Sequence, residues 1–170
     1  MGNRPTLLNS CAYAATAAEA RFRINAGPRT PRSSRLVALD AGASTLIASL
    51  AADIPPATHL LAYDSSIAAN GDGAFADIML ATPDGARVRL SDELTDADFI
   101  MMVATANDGA DGATAIGDAC GLRGIMTAGL VLADGAGAGE AVTALRPHAH
   151  VLLVTADRGD LTEIMTAVGG

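Results

Sequence analysis

Five short apolar runs set the outline of this chain, at 36–39, 59–63, 99–104, 125–133 and 151–154. None contains an Asp, Glu, Lys or Arg. A strand with one wet face alternates apolar and polar residues, whereas an unbroken apolar run suits a strand buried on both faces. Helical spacing of apolar residues follows four of these runs, at 44–52, 112–122, 138–146 and 160–168. Ile54-Pro55-Pro56, Gly124 and Pro147 stop the first three helices, and Asp160 is the expected cap of the last.

Strands alternating with helices across short loops predict a Rossmann-like three-layer α/β/α domain over 35–170. Its sheet should be mainly parallel, with five or six strands. Residues 75–81 and 86–90 depart from the rhythm and read as a hairpin around Thr82-Pro83-Asp84-Gly85. Ahead of the domain, 1–34 holds an Ala-rich helical stretch at 11–22 and a Gly/Pro/Ser linker at 27–34. That segment is expected to be a mobile basic arm or an Arg-rich targeting leader.

With 170 residues, half hydrophobic but only 3% aromatic, the core must come from Ala, Val, Leu, Ile and Met. So few rings also leave no evident stacking platform for a base. All 11 basic residues are arginine. A lysine Schiff base, a lysine general base and a Walker-A lysine are therefore excluded. Residues 1–35 carry six Arg against Glu19, a charge of +5; residues 36–170 carry five Arg against 18 acids, −13. An acidic body repels phosphate backbones and anionic lipid, so neither nucleic acid nor membrane is an expected partner. No apolar run reaches bilayer-spanning length, and the expected compartment is the cytoplasm. Cys11 and Cys120 sit in dissimilar contexts and suggest neither a disulfide nor a metal cluster.

In parallel sheets, ligands bind beyond the carboxyl ends of the strands, where the strand order reverses. Three loops qualify. The first, Asp40-Ala41-Gly42-Ala43-Ser44, lacks the G-x-G-x-x-G fingerprint but is followed 22 residues after Gly42 by Asp64, placed for a ribose or as a loop cap. The second, 106–114, offers Asn107, Asp108, Gly109, Asp111, Gly112 and Thr114. Its glycines permit close backbone approach to a ligand, while its two aspartates suit helix capping, or a divalent cation shared with Asp118. The third, 133–140, is a flexible turn whose polar side chains are Asp134 and Glu140. Cys120 reads as a buried, inert thiol. His148 and His150 read as surface residues away from the cleft, and His59 has no evident partner. No Ser-His-Asp order or G-x-S-x-G elbow occurs.

The run Asp98-Phe99-Ile100-Met101-Met102-Val103, the Gly-rich loop, Gly124-Ile125-Met126-Thr127-Ala128-Gly129, then Leu145-Arg146-Pro147 and the strand ending Thr155-Ala156-Asp157 resemble the nucleotide-binding half of the FtsZ/tubulin family. The resemblance is one of pattern over about 130 residues. It implies a nucleotide cleft at the loops just named. Where the family has G-G-G-T-G-T-G, this chain has Asn107-Asp108-Gly109-Ala110-Asp111-Gly112-Ala113, keeping two glycines and adding two acids. The family's central helix and catalytic acidic loop have no counterpart up to Gly170. The implied site is degenerate and truncated.

Two function classes follow. One is a non-catalytic or regulatory domain with a degenerate nucleotide-type cleft, acting through homo-oligomerisation or a protein partner. The other is a small-molecule binding protein or enzyme using Asp40, Ser44, Asp64, Asp108, Asp111 and Asp134. Its acidic cleft would take a nucleotide or, as a better fit to the acids, a cationic or hydroxyl-rich ligand, with or without a divalent metal and with the cofactor undefined.

Overall fold

The first apolar run becomes the middle of the sheet. In the computed structural model, β1 (Ser34–Ala38) lies between β2 (His59–Tyr63) and β5 (Phe99–Ala104), parallel to both. β6 (Met126–Leu132) and β7 (Val151–Thr155) extend the sheet in parallel beyond β5. Beyond β2 lie β3 (Met79–Ala81) and β4 (Arg87–Arg89), both joined antiparallel. The order is β4-β3-β2-β1-β5-β6-β7. The sheet therefore holds seven strands, not the five or six expected, because both arms of the hairpin join it. The structure describes residues 33–64, 78–133 and 136–169. The expected arm up to residue 32 with Cys11, positions 75–77 and Asp134 lie outside the described residues.

The helices are α1 (Ala41–Leu50), α2 (Leu90–Glu93), α3 (Ala110–Arg123), α4 (Gly139–Leu145) and α5 (Gly159–Gly169). Alternation along β5 divides them between two faces. Phe99, Met101 and Val103 pack with Leu46 and Ile47 of α1 and with Leu161 and Met165 of α5. Ile100, Met102 and Ala104 pack with Leu90 of α2, Ile116 and Cys120 of α3, and Leu145 of α4. All six β5 residues are buried, as a strand covered on both sides requires.

Three helix starts differ from the sequence expectation. α1 begins at Ala41, because Asp40 caps it by accepting from the Ala43 amide at 2.8 Å. The supposed turn 41–44 is thus its first turn. α3 begins at Ala110 behind Gly109 and has no side-chain cap, so neither Asp108 nor Asp111 caps it. α5 begins at Gly159, whose amide donates to Asp157 Oδ1 at 2.8 Å; Asp160 stands in the first turn instead of capping.

At the amino ends of the strands, Arg35 is 4% exposed and donates from Nε to Glu93 at 2.7 Å. His59 Nδ1 lies 2.9 Å from the same carboxylate oxygen, so it has a partner that sequence reading did not find. His148 is not a free surface residue either. Its ring packs where a Cβ on Gly117 would stand, and Nδ1 lies 3.6 Å from Asp118. No helix among the described residues is long and apolar enough to cross a membrane.

Candidate functional site

After β1 the chain turns into α1 on one face, and after β5 it turns into α3 on the other. Adjacent parallel strands whose crossovers part in this way open a crevice at their carboxyl ends, with backbone amides aimed into it. Asp40 fills that position. Its Oδ1 accepts from the Ala43 amide at 2.8 Å and the Thr105 hydroxyl at 2.6 Å. Its Oδ2 accepts from the Thr105 amide at 2.7 Å and the Ala106 amide at 3.0 Å. Burial by itself would raise the carboxyl's pKa. The four donors outweigh it, led by the Thr105 hydroxyl, and hold the pKa below its ordinary 3.8. Asp40 is only 7% exposed and stays an anion. A carboxylate of the chain thus takes the amide donors that a bound anion would otherwise meet.

The glycines around the crevice are filled by protein as well. A Cβ on Gly42 would stand 2.1 Å from Thr105 Oγ1, a group held in place by Asp40. On Gly109 it would meet Leu39 at 2.5 Å, and on Gly112 the Tyr63 ring at 2.5 Å. These three glycines admit neighbouring side chains and backbone.

The contact between Asp40 and Thr105 stands between two clefts. One, of about 460 Å³, is lined by Asp40, Ser44, Tyr63, Asp64 and Asp108 among others, with no basic side chain among the described residues of its wall. Tyr63 supplies the ring that composition argued against. Burial raises its phenol pKa, and Asp111 and Asp64 add to the rise. The other cleft, of about 450 Å³, is lined by Gly42, Thr45, Ser49, Thr105 and Arg158. Thr45 and Ser49 donate to the backbone carbonyls of Ala41 and Leu46, so their oxygens face the cleft as acceptors.

Of the residues named from sequence, Asp40, Ser44, Asp64 and Asp108 come together on the first cleft. Ser44 donates to the Asp40 carbonyl at 3.1 Å. Asn107 faces elsewhere: its side-chain oxygen accepts from the amides of Glu140 and Ala141, tying the β5 loop to α4. Thr114 is exposed and bonds back to the Ala110 carbonyl. Gly42, Gly109 and Gly112 serve packing, Asp111 is exposed in the first turn of α3, and Asp134 lies outside the described residues. No group of three or more His, Cys, Asp or Glu among the described residues could hold a metal ion, the trio Asp108, Asp111 and Asp118 included. Sequence reading missed Thr105, Thr45, Ser49, Tyr63 and Arg158; the available signal was that Tyr63 ends a strand, Thr105 and Arg158 follow one, and Thr45 and Ser49 lie one turn apart on α1. Cys120 is fully buried, and burial pushes its thiol up to about 12, against a small opposing pull from Arg123. Comparison with protein-family models, with curated proteins and with solved structures finds no match for this chain.

Proposed function

We propose that this is a non-catalytic Rossmann-like domain that acts by association with protein and not by turning over a nucleotide. One observation carries the reading: the Asp40 carboxylate accepts from three amides and a hydroxyl at the position where strand order reverses. A nucleotide phosphate placed there would have to displace a buried anion that is already hydrogen-bonded, and would meet its charge if it did not. Asp108 on the adjoining cleft adds to that repulsion. On this reading the likeness to the FtsZ/tubulin nucleotide-binding half is one of winding, with the phosphate loop's role lost. The test is thermal shift with GTP, ATP and NAD, each with Mg²⁺. The expected result is no concentration-dependent rise in melting temperature, and a saturable rise with any of them would overturn the reading.

A second reading draws on the first cleft. Ser44, Tyr63 and Asp108 present hydroxyls and a carboxylate, with no basic side chain among the described residues that line the cleft, which suits a small cationic or hydroxyl-rich ligand. A panel of polyamines and sugars in the same assay separates the two, since only this reading expects a rise.

A further inference from the structure

The two outer edges of the sheet differ in kind. On β4, Arg87 and Arg89 are both exposed, and charged side chains of this sort keep an edge from pairing with another chain. β7 has no such guard. From Pro147 to Ala156 there is no Asp, Glu, Lys or Arg, and no proline within the strand. Val151 is 63% exposed and Val154 53%, one toward each face of the sheet. Met126, 45% exposed, lies on the same face as Val151 and widens the apolar surface there. Beyond its ladder with β6, β7 pairs with no other described strand.

We propose that β7 pairs antiparallel with β7 of a second copy, joining two seven-stranded sheets across a twofold axis. This rests on the association reading above and names the partner. Self-complementarity selects a copy of the same chain. β7 is apolar or β-branched at every position and pairs antiparallel with itself without setting a charge against an apolar side chain. Residues 36–170 carry −13, so two copies must meet where neither presents an acid, and the β7 edge is such a strip. Register follows from the ladder. The Thr155 carbonyl accepts inward from the Ala133 amide, so strand alternation turns the amides of Val151 and Leu153 toward β6 and leaves those of Leu152 and Val154 facing outward. An axis through Leu153 then sets Val151 opposite Thr155 and Leu152 opposite Val154, apolar or β-branched at every position. Pairing β7 to the β4 edge of another copy would instead set valines against Arg87 and Arg89 and would not close.

Light scattering across a concentration series tests this on the full chain. The expected wild-type mass rises to twice 17.0 kDa, whereas Val151→Lys/Val154→Lys stays at the single-chain mass with an unchanged circular dichroism spectrum. Both positions are exposed, so the substitutions do not tax the core. A short bismaleimide should link Leu153→Cys chains into dimers and leave Val88→Cys chains unlinked, both in a Cys11→Ala background. A wild type that stays single at every concentration overturns the pairing, and so does a folded lysine variant that remains dimeric. Neither outcome touches the proposal of a non-catalytic domain, which stands or falls on the nucleotide shifts.

Discussion

Replacing Asp40 by Asn changes one atom of the group that closes the crevice, and its cost can be worked out. The carboxylate offers two acceptors to four donors: Oδ1 to Ala43 and the Thr105 hydroxyl, Oδ2 to the Thr105 and Ala106 amides. Asparagine keeps one acceptor and sets an NH₂ where the other stood. With the NH₂ at the Oδ1 position the Thr105 hydroxyl turns to accept from it, and the Ala43 amide is the donor that loses its partner and faces a donor. Hydrogen bonds to a charged group contribute about 1.5–3 kcal/mol each, offset because the amide carries no charge to desolvate; a net loss of about 2–3 kcal/mol is expected. Urea unfolding at pH 7 measures it. The pH dependence carries a sign. Because the folded pKa lies below 3.8, Asp40 contributes fully above about 3.8, and its contribution is lost as pH falls through the folded value. The gap between wild type and Asp40→Asn should therefore hold at neutral pH and narrow below about pH 4. Equal stabilities at pH 7, or a gap that persists undiminished into acid, would refute the assignment.

Three further expectations rest on separate contacts. Gly42→Ala should cost about 1–3 kcal/mol by pushing the Thr105 hydroxyl off Asp40. Adding Thr105→Ala should cost less than the two single losses combined, as a double-mutant cycle on urea midpoints would show. Glu93→Gln leaves buried Arg35 without its counter-charge and should destabilise by about 3 kcal/mol, read by the same unfolding assay. In a Cys11→Ala background, native Cys120 should stay unreactive toward a thiol reagent at pH 8, and only denaturant should expose it. A thiol that reacts promptly in the native protein would contradict its burial and its pKa near 12.

The central strands were legible because they are buried on both faces, so that 99–104 and 125–133 read as unbroken apolar runs close to the observed β5 and β6. Helix starts were harder to read. Ala41 and Gly42 carry no amphipathic signal; what begins α1 there is the Asp40 side chain reaching the Ala43 amide. Gly109 begins α3 with no side-chain signal, because its role is to let Leu39 approach. The crevice was legible only in part. Asp40 could be placed at a strand end, but Thr105 stands 65 residues away and meets it only through the β1–β5 pairing. Tyr63 likewise meets Gly112 only after the sheet forms. Contacts of this kind depend on register, which composition and periodicity do not carry.

The most direct test of the central claim follows the backbone amides of Ala43, Thr105 and Ala106 by nuclear magnetic resonance while GTP, ATP or NAD is added with Mg²⁺. With Asp40 already holding these three amides, their signals should stay in place as each nucleotide is titrated in. Saturable shifts of the three together would show a phosphate entering the crevice, and would contradict the account of a domain closed to nucleotide by its own carboxylate.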